Sequence, residues 1–83
     1  MNAKSFQLLE SDDNQAQRMR FMLASLYGTK VDVDMGAFLL KASEQEMHCW
    51  LDIQKAFYST KGHNLRLKAL ADKASVEFYQ NKT

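Results

Sequence analysis

Apolar residues recur at helical spacing along most of this chain. Met19, Met22, Leu23 and Leu26 form one run, Met47, Trp50, Leu51, Phe57 and Tyr58 a second, and Leu67, Leu70, Ala71, Ala74 and Phe78 a third. Helix punctuation brackets each run. Ser11, Asp12 and Asp13 offer an N-cap and negative charge for a first helix over residues 12–27, which Gly28 stops. Asp32 or Asp34 caps a second over 34–41, with Ala37, Phe38 and Leu40 as its apolar contacts, and Gly36 suggests the close passage of a neighbouring helix. Ser43-Glu44-Gln45-Glu46 is a capping box, in which the hydroxyl accepts a backbone N–H and the carboxylate reaches back to the cap. It opens a third helix over 44–59 that buries Met47, Trp50, Leu51, Phe57, Tyr58 and part of Gln54, and Gly62 ends that unit. Asn64 caps a fourth over 65–80. Residues 1–10 are expected as a partly ordered arm docked through Phe6, Leu8 and Leu9, and 81–83 as a frayed tail. Residues 29–33 alternate but are too few for a partnered strand. The pattern predicts an all-α fold, a single small four-helix domain.

Composition narrows the class. Eighty-three residues leave no room for a second core, and a core this small yields net stability on the order of 3–5 kcal/mol. Cys49 is the lone cysteine, so a disulfide within the chain is excluded and a reducing compartment is the expectation. No apolar run approaches the ~18 residues that cross a bilayer, and residues 1–10 lack a signal-peptide layout, which points to the cytoplasm and away from membranes. Homodimerisation is then the expected source of extra stability. The formal charge of +1 names no partner, but its distribution is uneven. Residues 1–54 hold five Lys or Arg against eight Asp or Glu, and residues 55–83 hold six against two. An anionic partner would accordingly be gripped by the last third.

The joint at residues 37–51, AFLLKASEQEMHCWL, carries the most specific motif. Ala37 is small enough for a second helix to cross it, Lys41, Ala42 and Ser43 make the turn and cap, and Met47 and Trp50 stand where a second helix is anchored. The run resembles the helix-turn-helix of small bacterial and phage regulators, often of the form A-x-x-L-G-V-S-x-x-T-V-x-x-W-L. Lys41 stands where that family places glycine at positive φ, a substitution costing about 1 kcal/mol. The resemblance implies a helix-turn-helix-like core and a transcription regulator bound to double-stranded DNA. Ser43, Glu44, Gln45, His48 and Cys49, with Asp52 on the same side, would then face the bases. Phosphates would be held by Lys41, Lys55, Lys61, His63, Arg66 and Lys68, with Arg18 and Arg20 secondary. Glu44 and Asp52 oppose a polyanion.

Other chemistry is thin. Glu44, His48 and Asp52 share a helix face, but their two turns span ~12 Å, too far for one metal ion. His48 and Cys49 are adjacent and diverge by ~100°, so they do not form a base–nucleophile pair. No phosphate-binding glycine loop is present, and the expectation is a non-enzyme without cofactor or metal. The predicted fourth helix carries a second apolar face, Leu65, Ala69, Val76 and Tyr79, suited to a homodimer or a protein partner. The rival to DNA binding is a small helical adaptor or inhibitor that binds another protein.

Overall fold

A computed structural model describes residues 1–81 and shows five helices and no strand among them. These are α1 (Ala3–Leu9), α2 (Asn14–Leu26), α3 (Met35–Lys41), α4 (Glu44–Thr60) and α5 (Leu65–Asn81). The all-α expectation holds, with α2 to α5 close to the four predicted helices. The fifth is α1, where an arm was expected; of the expected frayed tail over 81–83, Asn81 is instead the last residue of α5, and residues 82–83 lie outside the described residues.

The helix starts follow from short polar side chains. Asn2 accepts the Ser5 N–H at 2.9 Å, Asp13 that of Ala16 at 2.8 Å, Asp34 that of Ala37 at 3.0 Å, and Asn64 that of Leu67 at 3.0 Å. Segment 1–10 is a helix because Asn2 caps it and because Phe6 and Leu9, three apart, both enter the core. The far end of α4 closes with Gly62 N–H on the Phe57 carbonyl at 3.0 Å and Lys61 N–H on that of Tyr58 at 3.2 Å. Lys61 sits in the left-handed region at φ 54°, which a lysine tolerates only at some backbone cost.

All five helices feed one cluster: Phe6 and Leu9, Met19, Met22 and Leu23, Phe38, Cys49, Trp50 and Ile53, and Leu67 and Ala71. Helix α2 is its centre and touches each of the other four. Its most extensive partner is α5, which buries Leu67, Ala71, Ala74 and Phe78 at spacings of four, three and four. Phe78 meets Phe21 edge-on at 5.1 Å between ring centres. Four expected contacts are corrected here. Leu40 is 89% exposed, since α3 is short and turns only Phe38 fully inward. Leu51 and Tyr58 lie on the outer side of α4. A Cβ at Gly36 would meet Asp34 Oδ1 at 3.3 Å and no neighbouring helix, so this glycine serves no close crossing.

One polar network locks the arrangement. The Arg20 guanidinium donates to the carbonyls of Leu9 at 2.9 Å and Ser11 at 2.6 Å, and pairs with Glu77 at 3.0 Å. It thereby ties the α1–α2 link, α2 and α5 together. Its hydrogen bonds hold the Glu77 carboxyl below the ordinary value of 4.5, with Gln17 adding a further donor. A group depressed on folding stabilises the fold above its unfolded value, and that contribution disappears as pH falls through the folded one. Arg20→Met should therefore cost on the order of 2–4 kcal/mol in urea unfolding at neutral pH. The wild type should lose stability as pH drops below about 4.5, and the variant should lose less over the same range. Equal losses would remove Arg20 as the cause.

Candidate interaction surface

The capping box at the joint is present in full. The Ser43 hydroxyl accepts the Glu46 N–H at 3.1 Å, and the Glu46 carboxylate accepts the Ser43 N–H at 2.8 Å. Ala42 (φ −68°, ψ 136°) and Ser43 (φ −69°, ψ 165°) are both extended, so α3 and α4 are linked by two extended residues. Lys61 is the one non-glycine residue at positive φ among those described, so Lys41 does not take the left-handed turn of the resembled motif. Of the expected anchors, Trp50 is buried and Ala37 and Ala42 are half-buried, while Met47 is 36% exposed. Met47 stays outside because α4 turns Cys49, Trp50 and Ile53 inward, and residue 47 falls outside that arc.

Helix α1 lies along the side of α4 expected to face bases. The Ser5 hydroxyl donates to Asp52 at 2.9 Å, and the Cys49 thiol donates to the Ser5 carbonyl at 3.2 Å. Cys49, expected on the solvent side, is 1% exposed. An open cleft of about 460 Å³ remains between the two helices, lined by Lys4, Ser5, Leu8, Gln45, His48 and their neighbours. Ser43, Glu44, Gln45 and His48 are exposed, with His48 Nε2 4.0 Å from a Glu44 oxygen. No group of three or more acidic, His or Cys side chains among the described residues is arranged to hold a metal ion.

Several of the expected phosphate contacts already have partners within the chain. The Arg66 guanidinium stacks over Phe6 at 3.7 Å and lies 3.8 Å from Glu10. Lys68 pairs with Asp72 at 3.2 Å, and Lys61 Nζ sits 4.4 Å above the Tyr58 ring. Lys41, Lys55 and His63 are exposed and lie on three different elements or links. Arg18 donates to Gln15 at 2.7 Å, and Arg20 is enclosed by its network.

Sequence reasoning missed the outer side of α4. Met47, Leu51 and Tyr58 are 36%, 46% and 73% exposed. With Glu44 and Gln54, both exposed, they occupy positions three, four, three and four apart, a straight seam along one face. The signal was legible: α4 has apolar residues at helical spacing on two faces, and one small core can cover only one. The outer face of α5 is exposed as anticipated, at Leu65, Ala69, Val76 and Tyr79, but Asp72 falls in the middle of that stripe. No helix among the described residues is long and apolar enough to cross a membrane.

No protein family, curated protein or solved structure matches the chain.

Burial makes Cys49 inert. Loss of water around the thiol pushes its pKa up to about 11, and the neighbouring Asp52 and Glu46 carboxylates act in the same direction. A thiol reagent such as Ellman's should thus leave the native protein essentially unlabelled at pH 8 and label one thiol per chain in denaturant. Rapid native labelling would mean that α1 leaves α4 readily.

Proposed function

We propose that this protein is a non-catalytic helical interaction module that docks a protein chain on the outer face of α4. The exposed seam Met47–Leu51–Tyr58 carries this reading. Its large apolar side chains stand at regular spacing on a 17-residue helix whose inner face is already packed. Burying a side chain of this size yields about 1.5–3 kcal/mol, so an apolar partner face gains from covering the seam. Helix-in-groove and helix-on-helix recognition both use anchors at this spacing.

The alternative, a helix-turn-helix regulator on double-stranded DNA, has less to support it. Helix α1 occupies part of the reading side of α4, Glu44 is exposed beside the remaining readers, and several basic groups already have partners. Phosphate neutralisation needs free cations that track a backbone.

Two measurements separate the readings. A photo-crosslinking side chain placed at Tyr58 in living cells should give protein adducts. Leu51→Lys should abolish them and Val76→Lys should leave them. In a gel shift with mixed-sequence duplex at about 0.15 M salt, retention is expected to be absent. Retention that disappears on replacing Arg66 and Lys68 together by Ala would overturn the proposal in favour of DNA.

A further inference from the structure

We infer that the partner on the α4 seam is a second copy of the same seam, running antiparallel about a two-fold axis that passes between Asp52 and Ile53. This inference rests on the reading of that face as an interaction surface.

The seam is self-complementary in charge only when reversed. Its first position is Glu44, exposed, with His48 Nε2 4.0 Å from its carboxylate. Beyond its last position, Tyr58, lies Lys61, whose ammonium sits over the Tyr58 ring at 4.4 Å and so belongs to the same strip of surface. An antiparallel pair set on this axis brings Glu44 opposite the partner's Lys61, Met47 opposite the partner's Tyr58, and Leu51 opposite the partner's Gln54. The symmetry repeats each layer. Every acidic end meets a basic end, each large apolar side chain finds cover, and the helix dipoles oppose. A parallel pair would instead place Glu44 on its own copy and Lys61 on its own copy. Gln54 is the polar member of the central layers and fixes the register at some cost in affinity.

The outer face of α5 does not offer this. Asp72 lies at the centre of its stripe, between Ala69 and Val76, and is paired with Lys68 at 3.2 Å. Pairing that face with itself would dehydrate two carboxylates at the middle of the interface, which is costly. A contact built on one 17-residue helix per chain, about 25 Å long, belongs among small interfaces, so the dimer is concentration-dependent.

The test is sedimentation equilibrium of the full chain from about 5 μM to about 500 μM, a range bracketing weak association, with helicity checked by circular dichroism. The wild type should shift from the chain mass toward twice that mass over this range. Leu51→Lys should weaken association at least tenfold, and Val76→Lys should leave it unchanged. Glu44→Lys and Lys61→Glu should each weaken it, and the two together should restore it. A wild type that remains monomeric, a dimer lost with Val76→Lys and kept with Leu51→Lys, or a double variant weaker than both singles would each overturn the inference. Failure here differs from failure of the functional reading. Monomers whose crosslinks from Tyr58 reach a different protein overturn self-pairing alone, whereas the absence of any adduct overturns both.

Discussion

The breadth of the apolar face of α2 is the constraint on which this fold depends. Ala16, Met19, Phe21, Met22, Leu23 and Ala24 are all buried, and they span more than one side of the helix. A helix with so wide an apolar surface must be enclosed by its neighbours, and α2 is the element that every other helix touches. The cost falls on those neighbours. Each turns one stripe toward the cluster, and the two longest, α4 and α5, keep apolar side chains on the side away from it. The exposed faces follow from building a small core around one central helix.

Arg20 complements this enclosure at its polar edge. Its fork satisfies two carbonyls around the α1–α2 link and a carboxylate on α5, groups that the apolar cluster cannot satisfy. The ion pair is largely enclosed, so removing one partner leaves the other stranded. Helix α1 depends on the same chemistry. It is seven residues long, too short to be stable alone, and is held by Phe6 and Leu9 in the core, by Ser5 on Asp52 and Cys49, and by Arg66 stacked on Phe6.

The helix boundaries were legible because capping is local. Asp13, Asp34, the Ser43–Glu46 box and Asn64 each act within three residues, so their roles can be read from adjacent letters. Helix α1 was legible in principle, since Asn2 is the same kind of cap, but its helicity comes from tertiary contacts that adjacent letters do not encode. Which face of α4 turns inward was not legible. Met47, Leu51 and Tyr58 compete with Trp50, Ile53 and Phe57 for the interior, and the choice is made by the shape of α2 and the position of α1. The same nonlocal decision removed Cys49 from the solvent side and placed Met47 on it.

The uneven charge of the chain takes a different meaning in three dimensions. An acidic first part and a basic last part suggest an anion grip, but much of the basic charge is used one side chain at a time. Arg66 serves Phe6 and Glu10, Lys68 serves Asp72, and Lys61 covers Tyr58. The boundary between the two charge regimes falls within α4 itself. Glu44 and Glu46 occupy its first turn and Lys61 is its C-cap, the arrangement the helix dipole favours. A helix charged in this sense, with an apolar seam between its poles, is matched by its own reverse. The asymmetry therefore argues less for a polyanion than for a face that recognises a helix of opposite direction.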